Sequence, residues 1–479
     1  MNILPIFPEI VLISFFLIIY IYASIFQDSD FIYGIIQISS ALIVLVTLYS
    51  YDQTGDYLNK IYVVDNFSQT FKVLISCGYF LLIYMATSVG KKDQMPFEYF
   101  QNITIATFGL FLVASSGDIF TTVISLEITT LSLYVILFYK GDSISATSSG
   151  IKYILISVVV SGLSLYGISL LWGATGKIFI KELANKNIVP LMIGNSTLLV
   201  ISFILILSSI LFKMVIFPFH FSIEDLTEKG NSITSSFVIT VLVIGSTAAL
   251  IKIVNIAGNV SSNLTWFLIA ISVISIILSS LKIISQESVK NFVAFSTINN
   301  CGFILLGVVC NNETGLISGV FSVACFSIIV MSLLYLIRIL EKDDKLIISD
   351  LVGIYKRSPL IAITFTVSIA GIAGIPFTSG FIGKFLIIYA AIQKGFYGVL
   401  FVYIISTIIS VIYAGKIICN IFSDSSSEHE ILETNNYNFS MKILSVFFII
   451  IIILPGVYPQ LFIEYAKRSI IMLLSFGPL

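Results

Sequence analysis

The chain has 479 residues, of which 57% are hydrophobic and only 11% are charged. A soluble globular domain carries about 25% charged residues, so this composition cannot cover a water-exposed surface. The formal net charge of −1 offers no basic face for nucleic acid. The sequence therefore predicts an all-α polytopic membrane protein with about 14 transmembrane helices, since each span needs roughly 20 mostly apolar residues.

The predicted elements follow one another with short connectors, so residues 1–479 are interpreted as a single transmembrane domain. Within it we expect N-terminal helices in 1–97, a first repeat in 98–257 and a second repeat in 258–423. A polar loop and a C-terminal helix are expected in 424–479. No long polar segment offers a nucleotide-binding domain, which argues against an ATP-driven pump.

The sequence gives no sign of a metal or haem site. Its five cysteines lie mostly in apolar runs without metal-ligand spacing, and it has only two histidines. Thiols packed as small hydrophobic groups are the simpler interpretation. We therefore expect this chain to bind no metal and no cofactor.

Two spans contain residues that interrupt a helix. Pro218 lies in the apolar segment LFKMVIFPFH, and Pro376 lies among glycines in IAGIPFTSGFIGKF. Proline removes a backbone donor and clashes with the preceding turn, so broken helices are expected near both positions. Broken backbone within a membrane is tolerated only inside protein or beside a wet cavity. Because the breaks occupy corresponding places in two halves, they predict two inverted five-helix repeats, as in many transporters.

Glu127 lies near the centre of its span, in SLEITTLSLYVILFY. Placing a charged side chain there costs about 3 kcal/mol, so the carboxyl group needs a partner or must be neutral. One interpretation is a neutral glutamic acid bonded to a backbone carbonyl. The other is a carboxylate paired with a lysine on the next helix, for which Lys152 is the candidate.

Lys213 and Lys384 lie beside the two predicted breaks, inside apolar segments. Burial disfavours the charged form of a lysine, so such a side chain can release and regain a proton when a nearby carboxylate moves. Lys152 sits nearer a helix end. For all three lysines, snorkelling of the ammonium group to the membrane surface is the alternative.

His220 follows Pro218, and its imidazole could pass a proton between Lys213 and water because it titrates near neutral pH. A histidine that caps a helix end at the membrane surface is the alternative. The candidate proton relay thus consists of Glu127, Lys152, Lys213, His220 and Lys384. Four further lysines lie toward span ends, where we expect them to snorkel: Lys252, Lys282, Lys290 and Lys416.

A series of segments occurs in a specific order along nearly the whole chain: LPIFPEIVL, YVVDNFSQTFK, SSGDIFTTVISLEITTLSLYVILFY, GIKYILIS, LFKMVIFPFHFSIEDLTE, SVKNFVAFSTINNCGFILLG, IAGIPFTSGFIGKF and GVYPQLF. Each segment alone is weakly specific, but the ordered set is specific. It resembles subunit N of proton-pumping NADH–quinone oxidoreductase, the respiratory complex I, whose mitochondrial counterpart is NADH dehydrogenase subunit 2.

The resemblance implies a fold of fourteen helices with two inverted five-helix repeats and discontinuous seventh and twelfth helices. It implies that Glu127 is the glutamate of the fifth helix and that Lys152 is the lysine paired with it. Lys213 and Lys384 match the lysines of the two discontinuous helices, and His220 matches the histidine after the seventh helix.

One position departs from the family pattern. The family usually carries a lysine in the middle of the eighth helix, where this chain has Val243. Water with hydroxyl groups such as those of Thr240 or Ser246 could bridge the gap. Alternatively, proton transfer through this part of the subunit is altered or lost, and the sequence leaves both possibilities open.

The resemblance implies a proton-translocating membrane-arm subunit, which couples electron transfer from NADH to quinone to proton pumping. It implies that NADH, FMN, iron–sulfur clusters and quinone are bound by partner subunits and not by this chain. The implied partners are the antiporter-like subunits M and L, subunits K, J, A and H, and the lipid bilayer.

Two other interpretations compete with this one. A subunit of a multi-subunit cation/proton antiporter shares the architecture but has no redox partners. A lipid-linked saccharide flippase or a structural membrane protein leaves the charges at Glu127, Lys213 and Lys384 unexplained. We expect the chain in a bacterial inner membrane, with the mitochondrial inner membrane as the alternative.

Overall fold

The computed structural model describes residues 4–25, 29–88, 95–139, 144–184, 196–258, 261–341, 346–423 and 439–474. Most of these residues are helical, which confirms the predicted all-α membrane class. Within the described ranges, the named strands are β1 (Gly55–Tyr57) and β2 (Tyr62–Val64), which form an antiparallel hairpin. The polar loop predicted at the start of 424–479 lies outside the described residues up to 438.

The long helices are labelled here in chain order. The first eight are α1 (Phe7–Ile25), α2 (Ser29–Tyr49), α3 (Asn66–Ser88), α4 (Phe97–Ser115), α5 (Ile119–Leu137), α6 (Ile144–Thr175), α7 (Ser196–Lys213) and α8 (Phe221–Lys229). The next five are α9 (Ser232–Ala257), α10 (Ser262–Ile284), α11 (Val289–Val309), α12 (Glu313–Leu340) and α13 (Pro359–Ala373). The last four are α14 (Ser379–Gln393), α15 (Tyr397–Phe422), α16 (Phe439–Val457) and α17 (Pro459–Leu474).

Among the described residues, 11 helices are long and apolar enough to cross a membrane. The bent pair α16 and α17 adds a twelfth candidate, with an angle of 82° between its members. Helices α7, α13 and α14 are apolar but shorter, because each ends or begins at an interruption. The total of about 14 spans therefore stays a prediction.

Both predicted interruptions are present. Helix α7 ends at Lys213, and α8 begins only at Phe221, after the segment that contains Pro218. Helix α13 ends at Ala373, and α14 begins at Ser379, after the segment that contains Pro376. Proline cannot donate a backbone hydrogen bond, which accounts for an end of regular helix at each site.

Two stretches of the chain share one order of elements. The first has α4, α5 and α6, then the broken pair α7 and α8, then α9. The second has α10, α11 and α12, then the broken pair α13 and α14, then α15. This order is the one that two five-helix repeats require, while the domain limits given above stay predictions.

Helix α9 forms the centre of the core and is buried over its whole length. It packs against α3, α4, α7 and α12. One π-helical turn, Phe237–Val241, interrupts its regular geometry in the first half of the helix. Such turns are rare and often mark functional positions. Val243, at the position where the resembled family has a lysine, lies just beyond this turn and is fully buried.

Candidate functional site

Glu127 and Lys213 form an ion pair inside the first of the two stretches. Asp118 caps α5 by accepting a hydrogen bond from the Thr121 amide at 2.6 Å. Glu127 lies nine residues further on, about 14 Å along the helix. Its Oε1 is 3.1 Å from Lys213 Nζ, which also donates to Ser209 Oγ at 3.1 Å. A carboxylate and a lysine are thus held together at membrane depth.

The two members of this pair are buried to different extents. The Lys213 side chain is 1% exposed, whereas that of Glu127 is 23% exposed. Four exposed apolar side chains lie on the same outer face of α5 as Glu127, because successive members of the set are three or four residues apart. They are Phe120, Ile124, Leu131 and Val135. The carboxylate therefore opens onto a lateral surface, and the lysine is enclosed behind it.

The break after α7 determines where Lys213 lies. Because the helix ends at this residue, its ammonium group sits at a helix C-terminus, where the helix dipole favours a positive charge. Beyond it, the Phe217 amide donates to Ser275 Oγ at 3.1 Å, which fixes the broken segment against α10. Pro218 thus acts at a distance of five residues, by ending the helix that carries the lysine.

The expected pair between Glu127 and Lys152 is not formed, and this expectation was wrong. Lys152 Nζ lies 2.8 Å from Asp225 Oδ2, and its side chain is 57% exposed. Lys152 is in the third turn of α6, beside the start of α8, which carries Asp225. Glu127 takes its lysine from α7 instead.

His220 immediately precedes α8. Its ring lies against Phe221, with centroids 4.0 Å apart, and stacks on Phe217 at 5.9 Å. Its Nδ1 is buried and has no hydrogen-bond partner among the described residues. No hydrogen bond joins it to Lys213 within the part of the chain that is described, so its role in the relay stays a prediction.

Lys384 lies in α14, after the second break, and turns back toward the end of α13. Its Nζ donates to the carbonyl oxygens of Ala373 at 2.9 Å and Ile372 at 3.2 Å. It also lies 5.0 Å from the centre of the Phe303 ring. Like Lys213, it places a positive charge at the C-terminus of the helix half before the break.

A small cavity adjoins Lys384. It measures about 20 Å³, and Ser322 and Ser379 are among the residues that line it. Both hydroxyl groups are buried, and that of Ser322 has no hydrogen-bond partner among the described residues. A cavity needs roughly 10–15 Å³ and polar partners to hold a water molecule, so this space suits one beside the ammonium group.

Gly374 and Gly380 allow the close approach around Lys384. Gly374 has φ +81°, and a Cβ there would meet Lys384 Cδ at 2.9 Å. A Cβ at Gly380 would lie 1.9 Å from the carbonyl oxygen of Gly371. Gly374 and Gly380 therefore determine where Lys384 lies, in addition to allowing the helix to break.

Lys252 is buried and does not snorkel, contrary to the expectation from its place near a span end. Its side chain is enclosed, and its Nζ donates to the carbonyl oxygens of Ala114 at 2.7 Å, Ser116 at 2.8 Å and Val113 at 3.1 Å. The ammonium group thus binds the C-terminal carbonyls of α4. Helix α9 is surrounded by other helices at this level, so the side chain has no path to the membrane surface.

Lys290 is also buried, contrary to the same expectation. Its Nζ is 2.8 Å from Glu341 Oε2, and Arg338 Nη1 is 2.9 Å from Glu341 Oε1. The Ser232 hydroxyl, at the start of α9, donates to the same carboxylate at 3.2 Å. This charged cluster joins α9, α11 and α12 at one end of the bundle.

Glu9 and Lys72 form a further buried ion pair that the sequence analysis missed. Their side chains are 4% and 0% exposed, and Nζ lies 2.7 Å from Oε1. The available signal was that a glutamate and a lysine interrupt the two N-terminal segments LPIFPEIVL and YVVDNFSQTFK.

The hydroxyl groups near Val243 do not form a direct chain. Thr240 donates back to the Ser236 carbonyl and Ser246 to the Leu242 carbonyl, each within α9. The two residues are six positions apart, about 9 Å along the helix, which is too far for one hydrogen bond. A bridge across Val243 through these hydroxyls would need water and stays a prediction.

No group of three or more histidine, cysteine, aspartate or glutamate side chains within the described ranges could hold a metal ion. The buried ionisable side chains described above instead occur as ion pairs, as the cluster of Lys290, Arg338 and Glu341, and as lysines on helix C-termini. Together with two broken helices inside a helical bundle, this arrangement defines an antiporter-like membrane subunit.

The chain belongs to the family described as NADH:quinone oxidoreductase/Mrp antiporter, TM, which matches residues 116–412. It is 29% identical over 434 residues to NADH-quinone oxidoreductase subunit N 2 of Syntrophobacter fumaroxidans, covering 90% of each chain. It is 28% identical to NADH-quinone oxidoreductase subunit N of Pelagibacter ubique, covering 98% of this chain and 99% of the relative. The resemblance drawn from the ordered segments is confirmed by these relatives.

Solved structures share the fold. A chain of respiratory complex I from Thermus thermophilus with bound aureothin matches with a TM-score of 0.83 at 21% identity, over 96% of this chain and 99% of that one. A chain of the Mrp complex from Dietzia sp. DQ12-45-1b matches with a TM-score of 0.86 at 18% identity, over 98% and 97%. At these identities the likeness concerns the fold alone.

Proposed function

We propose that this chain is the proton-translocating membrane-arm subunit of an NADH–quinone oxidoreductase. The observation that carries the proposal is the ion pair of Glu127 and Lys213, with the lysine enclosed and the carboxylate open to a lateral surface. Ionisable groups at membrane depth are costly and are kept where charge must move. The relatives named subunit N, matched over nine-tenths of this chain or more, support the same assignment.

The proton path begins at the lateral face of α5. A neighbouring subunit that covers this face changes the electrostatic environment of Glu127, since the carboxylate is the exposed member of the pair. When the carboxylate is drawn away or neutralised, Lys213 loses its counter-charge, and its buried ammonium group releases a proton. Moving one charge against 100 mV costs about 2.3 kcal/mol, which a change of this kind can supply.

The proton leaves the interior by way of Lys384. This lysine faces the cavity lined by Ser322 and Ser379, where a water molecule can accept or deliver a proton. His220 accepts and delivers a proton near the first break. The ion pair of Lys152 and Asp225 lies at the more exposed end of the path. The domain limits proposed above put Lys213 in the first repeat and Lys384 in the second.

The redox chemistry belongs to other chains of the complex. NADH, FMN, iron–sulfur clusters and quinone are held by partner subunits, and this chain receives their energy through its neighbours. Those neighbours are the antiporter-like subunits M and L and subunits K, J, A and H. The bacterial relatives support a bacterial inner membrane as the location.

A subunit of a cation/proton antiporter is the second candidate, because the Mrp complex chain has the same fold. The two candidates differ in whether proton movement requires electron transfer from NADH. The relatives named subunit N favour the redox-driven complex.

The test uses the assembled complex in inverted membrane vesicles. Glu127→Gln, Lys213→Met and Lys384→Met are each expected to lower NADH-driven proton uptake by at least about tenfold, because a group that exchanges the proton is lost. Glu182→Gln is the control, since Glu182 pairs with Lys177 at 3.3 Å on an exposed surface. NADH oxidation by an artificial acceptor should be unchanged in all four. Normal pumping in the variants of Glu127, Lys213 and Lys384 would overturn the proposal.

A further inference from the structure

A second set of ionisable groups lies away from Glu127 and Lys213, under the hairpin of β1 and β2. Glu9 Oε1 is 2.7 Å from Lys72 Nζ, and Tyr62 donates its phenolic proton to the same carboxylate oxygen. Lys72 in turn donates to the Tyr62 hydroxyl at 3.1 Å. An acid, a phenol and an amine thus contact one another in a closed triangle, and all three are buried.

This triangle is poorly explained as a device for stability. Replacing a buried ion pair by apolar side chains of similar volume is often neutral or stabilising, because two charges must otherwise be desolvated. The second oxygen of Glu9, Oε2, is buried and has no hydrogen-bond partner among the described residues. An oxygen left open in this way is a place where a proton can be bound or released.

A line of buried polar groups joins the triangle to the core helix α9. Tyr62 pairs through its backbone with Ser116, at the end of α4. Ser116 accepts hydrogen bonds from Lys252 Nζ at its carbonyl oxygen (2.8 Å) and its hydroxyl (3.3 Å). The neighbouring Ser115 hydroxyl is also buried, and it is hydrogen-bonded to the Tyr62 hydroxyl. The line therefore runs from Glu9 through Tyr62 to Lys252.

The triangle also lies close to an aqueous face. Helices α1 and α3 begin there, α4 ends there, and the hairpin covers it. Leu58, in the hairpin turn, is 72% exposed, and Asp56 forms an exposed ion pair with Lys181 at 3.8 Å. Charged and exposed side chains at this level mark the boundary between the bundle and water.

We propose that Glu9, Tyr62 and Lys72 form a proton-exchange site between the interior around Lys252 and water at the hairpin face. This inference rests on the proposed function of the chain. A proton given up by the Lys252 ammonium group reaches Tyr62 through the serine hydroxyls, while Tyr62 passes its own phenolic proton to Glu9. Glu9 then releases one proton to water, so one proton enters, one leaves, and Lys72 keeps its charge throughout.

Two variants of the assembled complex test this site. The double variant Glu9→Met with Lys72→Met removes both charges but keeps the packing volume close to that of the native pair. Tyr62→Phe leaves the ion pair intact and removes only the phenolic proton. Tyr57→Phe, in the adjacent strand β1, is the control for loss of a tyrosine hydroxyl beside the site.

We expect both variants to assemble and to oxidise NADH with an artificial acceptor at the normal rate. NADH-driven proton uptake should fall by at least about tenfold in each, whereas Tyr57→Phe should pump normally. Normal pumping by Tyr62→Phe overturns the inference, whatever the double variant does, because its ion pair is untouched. If Glu127→Gln still abolishes pumping in that case, the proposed function stands and only this site is rejected.

Discussion

Lys213 Nζ lies 3.1 Å from Glu127 Oε1, although 86 residues separate the two in sequence. The lysine is enclosed, while the carboxylate has an exposed edge on the outer face of α5. A neighbour on that face can therefore act on the negative charge without contacting the positive one. A change at the lateral surface therefore acts first on Glu127 and, through the ion pair, on the enclosed Lys213.

Shortening the Glu127 side chain should weaken the electrostatic coupling between its carboxylate and Lys213. Glu127→Asp keeps the charge but withdraws it by about 1.5 Å, the length of one carbon–carbon bond. We expect coupled proton uptake in vesicles to fall by about tenfold, equivalent to roughly 1.4 kcal/mol. Glu98→Asp is a control, since Glu98 lies in the first turn of α4, eleven residues (about 16 Å along the helix) before Gly109, which packs beside Ser125 and Thr129 of α5. If Glu127→Asp pumps normally, the contact distance is irrelevant and only the charge counts.

The breaks and the buried lysines beside them could be predicted because their causes are local. Pro218 and Pro376 disfavour a continuous helix through their own backbone, and an apolar run places Lys213 and Lys384 at membrane depth. The partner of Glu127 could not be predicted in this way. Hydropathy gives the depth of a residue but not the direction in which its helix turns it.

The burial of Lys252 was missed for a related reason. A lysine near a helix end snorkels only if a path to the surface is open, and α9 is enclosed by neighbouring helices throughout. The sequence of α9 alone resembles that of other apolar spans. Its central position depends on contacts with α3, α4, α7 and α12, which are distant in the chain.

The pairing of Lys152 can be tested by double-mutant cycles. Lys152→Met should couple energetically to Asp225→Asn, because the two side chains are 2.8 Å apart, but not to Glu127→Gln. Both groups of the pair are partly exposed, so the coupling should be only about 0.2–1 kcal/mol. The thermal stability of the detergent-solubilised complex is the measurement. A larger coupling between Lys152 and Glu127 would contradict the geometry described here.

Gly374 should be required for the position of Lys384. Gly374→Ala puts a Cβ 2.9 Å from Lys384 Cδ and forces alanine to adopt φ +81°. The strained backbone costs about 1–2 kcal/mol, and the contact displaces the ammonium group from the carbonyl oxygens of α13. Coupled proton uptake should therefore fall although no ionisable group is removed.

Gly176→Ala is the matched control for this prediction. Gly176 has φ +66°, but a Cβ there meets no atom within 4 Å. Gly176→Ala should therefore lower the thermal stability of the complex through backbone strain, but it should not lower proton pumping. Equal loss of pumping in both variants would show that strain, and not contact with Lys384, is responsible.

Glu341 should matter more for stability than either of its cationic partners. Glu341→Gln removes the negative charge that pairs with two buried cations. Lys290→Met removes one cation and leaves the 2.9 Å contact between Arg338 and Glu341. Breaking a buried ion pair typically costs about 3–5 kcal/mol, so Glu341→Gln should lower the unfolding temperature more than Lys290→Met. The thermal unfolding of the solubilised complex at neutral pH measures both.

The same cluster gives a pH dependence with a definite sign. Burial alone would raise the pKa of Glu341, but Lys290 and Arg338 outweigh it and hold the pKa below its ordinary value of 4.5. A carboxylate with a lowered folded-state pKa contributes stability above pH 4.5 and loses that contribution as the pH falls through the lowered value. The difference in unfolding temperature between native protein and Glu341→Gln should therefore shrink on acidification below pH 4.5. A difference that stays constant or grows over that range would mean that Glu341 is protonated in the native cluster, and the two cations would then lack the counter-charge assigned to them.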